Sequence, residues 1–140
     1  MSVKPVGLTK DAGFQIGVRR TLPVTQEQAW SYLISPEGLK SWLGDLPRLD
    51  LAVKRSYQTA DGSTGEIRAA KPLQQLRLTW QPKDWDKPST VQIRLIPGKE
   101  GRTTVSFHQE HLDGPQTRAQ MKIRWEEVLD KMTEHFQKTN

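Results

Sequence analysis

Between Met121 and Phe136 the apolar residues Met121, Trp125, Val128, Leu129, Met132 and Phe136 recur at spacings of three and four. An α-helix gathers such positions onto one stripe. The stretch follows Gly114-Pro115 and runs for roughly 20 residues. A long helix with a single apolar stripe needs a partner that is apolar on one side only. The chain before it supplies one. Phe14, Ile16 and Val18 alternate with polar or small residues, as do Leu76, Leu78 and Trp80, then Val91, Ile93 and Leu95, then Val105 and Phe107. Period-two alternation marks strands with one buried face. Asp61-Gly62 is a hairpin signal, and connections this short imply antiparallel pairing. The helix stripe and the sheet face must then bury each other. The expected fold is α+β: a curved antiparallel sheet of about six strands wrapped around a long C-terminal helix.

Local signals place the remaining elements. Pro23 ends the first strand. Thr25-Gln26-Glu27-Gln28 has the form of a capping box, opening a short helix with Ala29, Trp30, Leu33 and Ile34 on one side. Ser35-Pro36 starts a second short helix with Ser35 as N-cap, Leu39, Trp42 and Leu43 as its apolar face, and Gly44 as its stop. Residues 45–55 are irregular. A strand is expected around Arg55–Ala60, then its hairpin partner Thr64–Lys71, with Ile67 and Ala69 facing one way and Pro72 as terminator. The segment from Pro82 to Pro88 is a loop carrying Trp85, and the last strand covers about Arg102–Leu112. Residues 1–12 form a lead-in without periodicity, and 13–140 a single domain.

Composition removes several function classes. The absence of cysteine excludes disulfide scaffolds, thiolate metal sites and a Cys nucleophile. No apolar run reaches the length of a membrane span. Met1 to Lys10 contain no signal-type apolar stretch, so a cytoplasmic location is expected. Net charge is +5 and the pI about 9.6, a prior for polyanion binding. The cations are interspersed with acids, however, and the longest basic runs are the pairs Arg19-Arg20 and Lys54-Arg55. A specific nucleic-acid role is not expected.

Polar residues at inward parity are the sharper clues. Gln109 and His111 continue the Val105, Phe107 face, Arg20 continues the Phe14, Ile16, Val18 face, and Tyr57 is a further inward candidate. A buried polar group must find a partner; a ligand, a backbone carbonyl or exposure at the strand end would each serve. His108 and His111, three apart on a strand, face opposite sides and cannot share one metal. His108 and Glu110 read as a surface pair. No metal or cofactor is expected, because no ligand spacing, phosphate loop or dinucleotide fingerprint is present.

The ordered set of local motifs resembles the START-like helix-grip (SRPBCC) superfamily, and within it the branch named for the activator of heat-shock-protein-90 ATPase homologue. The pieces are Arg20-Thr21-Leu22-Pro23 leading to Gln28-Ala29-Trp30, then Pro36-Glu37-Gly38-Leu39 and Trp42-Leu43-Gly44. Asp61-Gly62 with Gly65-Glu66-Ile67 follows, then Leu76 to Trp80, Ser89-Thr90-Val91, Thr103-Thr104-Val105, and Met121-Lys122 with Trp125 and Leu129. The resemblance runs from about residue 14 to 137. In the eukaryotic namesakes this domain follows a separate N-terminal domain. Some members carry a His on the last strand where this chain has Gln109.

The resemblance implies a cavity between the sheet and the long helix, open near the short helices and used across the superfamily for lipids, hormones, polyketides or aromatic acids. An empty apolar void of about 300 Å3 would cost about 7 kcal/mol, rivalling the stability of a whole domain. Any such cavity must therefore be small, wet, collapsible or occupied. The residues expected to contact a ligand there are Trp42, Tyr57, Trp80, Trp85, Gln109, His111, Met121 and Trp125. The tryptophans read more readily as packed core, and Trp85 as either a lid or a ring folded back onto the body. The expected function is non-enzymatic binding of a small apolar or amphipathic ligand. A chaperone partner and a cavity-type cyclase or hydratase are the alternatives, the last with His111, Glu66 and Tyr57 as competing acid–base groups.

Overall fold

The computed structural model describes the backbone of Leu8 and Thr9, and residues 13–138. Seven strands form one antiparallel sheet: β1 (Leu8–Thr9), β2 (Gly13–Leu22), β3 (Ser56–Gln58), β4 (Thr64–Lys71), β5 (Gln75–Trp80), β6 (Ser89–Pro97) and β7 (Thr103–Leu112). Their order is β1-β2-β7-β6-β5-β4-β3. The helices are α1 (Gln26–Ile34), α2 (Pro36–Trp42) and the 24-residue α3 (Pro115–Lys138). The sheet curves over α3, as its pattern requires. Trp125, Val128, Leu129 and Met132 of α3 are buried, and Met121 and Phe136 extend the stripe at its two ends.

The predicted caps form. Gln28 N–H donates to the Thr25 hydroxyl, and Thr25 N–H donates to the Gln28 side chain. Ser35 accepts from Gly38 N–H at 3.0 Å and Pro36 stands at the start of α2. The α1–α2 corner is tight because Gly38 has no Cβ; one placed there would lie 1.8 Å from the Tyr32 carbonyl oxygen. Arg20 does lie on the helix side of β2, where it bridges to Asp130 of α3 at 2.6 Å. His108 and Glu110 share the outer face at 3.5 Å.

Three expectations are corrected. In β4, Ala70 rather than Ala69 joins Ile67 against the core: Ile67 pairs with Leu78 and Ala70 with Leu76, so a bulge at Arg68–Ala69 shifts the parity. The strand expected over Arg55–Ala60 pairs only from Ser56 to Gln58. Thr59 instead organises the hairpin turn, donating to the Asp61 carboxylate and accepting from Ser63 N–H. His111 does not continue the inner face. Between the pairs Ile16↔Gln109 and Phe14↔Leu112, β7 has one residue more than β2. That residue is absorbed by His111 at φ 64, which turns outward while Leu112 takes the buried position. In the expected lead-in, Leu8 and Thr9 pair with Phe14 and Gly13; the rest of it lies outside the described residues. No helix among the described residues is long and apolar enough to cross a membrane.

Candidate functional site

Beneath α3 the space is occupied by aromatic rings. Phe107 of β7 and Trp125 of α3 stack at 4.9 Å with planes 12° apart. Trp42 tilts onto Phe107 at 6.3 Å, and Trp80 onto Trp125 at 6.1 Å. The polar atoms buried with them form a closed relay. Trp125 Nε1 donates to Gln109 Oε1 at 2.9 Å, Gln109 Nε2 donates to Ser89 Oγ at 2.9 Å, and Ser89 Oγ donates to the Trp80 carbonyl at 2.8 Å. Trp42 Nε1 donates to the Leu33 carbonyl at 2.8 Å. Tyr57 donates to the Thr79 carbonyl at 2.5 Å, and burial pushes its hydroxyl well above the ordinary phenol range. Trp42, Tyr57, Gln109 and Trp125 therefore bond within the protein, in the region where the resemblance implies a cavity.

Open space lies at the rim. A groove of about 760 Å3 runs between the end of α2, the β3–β4 hairpin tip, the start of the β5–β6 loop and α3. Leu43, Trp80, Trp85 and Met121 give it an apolar wall; Lys40, Arg124, Lys131, Asp45 and Asp61 also line it. Trp80 is positioned as the last residue of β5, paired with Ser89 of β6. Trp85 sits edge-on against it at 5.4 Å. The loop holds Trp85 through Trp85 N–H to the Pro82 carbonyl and Gln81 Nε2 to the Trp85 carbonyl, the latter at 2.7 Å. His111 lies in a separate cleft of about 360 Å3, on the other side of Trp85, with Asp113. Of the eight residues expected to contact a ligand, the groove brings together Trp80, Trp85 and Met121.

With Lys40 and Lys131, Arg124 is among the groove residues that sequence reasoning misses. In the sequence it is one of several interspersed cations. Its signal is its position three residues after Met121 and one before Trp125, on the flank of the apolar stripe. The guanidinium lies over the Trp80 ring at 4.6 Å from its centroid and donates from Nη2 to the Trp42 carbonyl at 2.7 Å. Burial lowers its pKa, opposed by the carboxylates of Asp61 and Glu127. Asp61 itself is held below the usual carboxylate range by the Thr59 hydroxyl and then the Ser63 N–H.

Residues 23–137 match the family described as activator of Hsp90 ATPase homolog 1-like protein. The chain belongs to that family. No curated protein matches it. Among solved structures, this family member is similar to protein MLL2253 from Mesorhizobium loti, at 23% identity and TM-score 0.71, over 90% of this chain and 98% of that one. It is similar to CalU16 from Micromonospora echinospora, at 21% identity and TM-score 0.71, over 87% and 76% of the two chains. It is also similar to PFC0360w, an HSP90 activator from Plasmodium falciparum, at 19% identity and TM-score 0.67, over 79% and 86%. Identities this low carry the fold and not the activity.

Proposed function

We propose that this member of the family binds a small amphipathic ligand in the rim groove, without catalysis. The observation that carries this reading is the aromatic corner of Trp80 and Trp85, which lines one groove with Met121, Lys40, Lys131 and Arg124. A concave apolar wall with a few polar groups at one end suits a ligand having a tail and a head. None of the three residues expected to compete as acid or base lines the groove. His111 faces the neighbouring cleft, Tyr57 is engaged with Thr79, and Glu66 lies 3.5 Å from Arg68. Titration with decanol, decanoate and decylamine, followed by tryptophan emission, is expected to saturate for at least one of them. Trp85→Ala should weaken that binding by about tenfold, the loss expected for a buried aromatic contact. No saturable change with any of the three would end this reading.

A second reading, a chaperone partner, is favoured by the outer face of the sheet. Arg19, Ser106, Arg94, Gln75 and Lys71 stand in register across five neighbouring strands, which puts three cations in one row. Arg77 lies in the adjacent row, 3.9 Å from Glu110. An acidic protein surface would complement that row. Co-purification with a chaperone should then fall with salt and with Arg94→Glu, and be untouched by Trp85→Ala. Retention of the partner through Arg19→Glu/Arg94→Glu would count against it.

A further inference from the structure

Among the described residues two buried side-chain polar atoms lack a hydrogen-bond partner, Trp80 Nε1 and Arg124 Nε. Both residues line the rim groove, and the Arg124 guanidinium lies over the Trp80 ring. A buried polar group without a partner is rare and destabilising, and two adjacent ones of the same kind are informative. An indole N–H and a guanidinium N–H donate and never accept. Neither N–H can accept a hydrogen bond from the other, so a hydrogen-bonding partner must be an acceptor. No acceptor nearby reaches either atom: Asp61 Oδ1 takes bonds from Thr59 and Ser63, Gln109 Oε1 takes the Trp125 N–H, and the Trp42 carbonyl takes Nη2 of Arg124.

Charge narrows the class. One of the two donors belongs to a guanidinium, and two N–H donors of which one is cationic match the two oxygens and single charge of a carboxylate. From this we infer that the ligand's head is a carboxylate received between Trp80 Nε1 and Arg124 Nε, with its apolar tail along Trp85 and Met121. This rests on the ligand-binding reading above and specifies its chemistry. Both N–H groups lie below the solvent surface. The head therefore enters by displacing a wall. Trp85 is the aromatic wall carried on a loop, whereas Trp80 belongs to the sheet and Met121 to the helix.

Calorimetric titration of the full chain with decanoate, decanol and decylamine tests the inference, because the three probes share a tail and differ in the head. Decanoate is expected to bind at least tenfold tighter than decanol, with decylamine weakest. The indole proton resonance of Trp80, assigned by its loss in Trp80→Phe, should move downfield with decanoate and stay in place with decanol. In Arg124→Gln the preference for decanoate should fall below about threefold. Should that variant not fold, the wild-type ratio and the indole shift still decide. Equal binding of decanoate and decanol overturns the carboxylate assignment and leaves the groove as an apolar site. A Trp80 indole resonance that decanoate does not move, as a trapped water already bonded there would give, also overturns it. Failure of all three probes ends the ligand-binding reading itself.

Discussion

Replacing Trp125 with Ala is expected to lower the unfolding free energy by about 3–5 kcal/mol in urea titrations at neutral pH. Three features set that size. The side chain is 0% exposed, so its whole apolar surface is removed from the core. Its ring stacks on Phe107 and meets Trp80, so truncation takes one neighbour from each of two large rings. Its N–H donates to Gln109, itself 0% exposed, so Ala also strands a buried acceptor. Trp125→Phe separates these contributions. It keeps most of the stacked surface and loses the donor, and should cost about 1–3 kcal/mol. A loss below about 1 kcal/mol for Ala would mean that the helix and sheet are not closed around this ring. The case for a filled interior and a rim site would fail with it.

The filled interior has a functional consequence. An open void between sheet and helix would carry a large penalty, and this chain avoids it with Trp42, Phe107 and Trp125. Gln109 could have presented an amide to a bound molecule. Instead both ends of that amide are held by Trp125 and Ser89. Under the proposed ligand-binding reading the site is thereby displaced outward, to where Trp80 is the last ring of the core and the first wall of the groove.

The periodicities made most of this architecture legible. A six-residue stripe defined α3, and the alternations in β2, β5, β6 and β7 placed their inner faces correctly wherever the pairing is regular. Parity reasoning broke at bulges. Arg68–Ala69 and His111 are extra residues relative to a partner strand, and nothing local in Arg-Ala-Ala or Glu-His-Leu announces an extra residue. The candidate site was legible only in part, for a related reason. Trp80, Trp85 and Met121 were recognisable as large apolar side chains near strand and helix ends. Whether a polar group such as Tyr57 or Gln109 faces a ligand or a carbonyl depends on partners far along the chain: Tyr57 meets Thr79, and Gln109 meets Ser89 and Trp125. Arg124 becomes visible only once α3 is laid beside the end of β5, which puts its guanidinium on Trp80.

Alkaline titration should expose Tyr57 as a strut. Its hydroxyl is donated to Thr79 in β5, and the ring closes over Gly65 in β4, where a Cβ would lie 2.4 Å from the hydroxyl oxygen. One side chain thus ties β3 to the two strands beyond it and fixes the hairpin that carries Asp61 into the groove. Burial raises the folded pKa of this phenol above its unfolded value of about 10. The sign follows from proton counting. Below pH 10 both states keep the proton, and the contribution to stability is fully present. Above pH 10 the unfolded chain releases it and the folded chain retains it, so stability falls by about 1.4 kcal/mol per pH unit from this group. Tyr32, the other tyrosine, is shifted in the same direction by burial and remains in the comparison protein. Tyr57→Phe should therefore be about 1 kcal/mol less stable at pH 7, for the lost hydrogen bond, and have a shallower alkaline limb by one proton. The two stability curves are expected to cross near about pH 11. Parallel curves in urea titrations between pH 9 and 11.5 would show that Tyr57 ionises freely in the folded chain, and the strut would have to be given up.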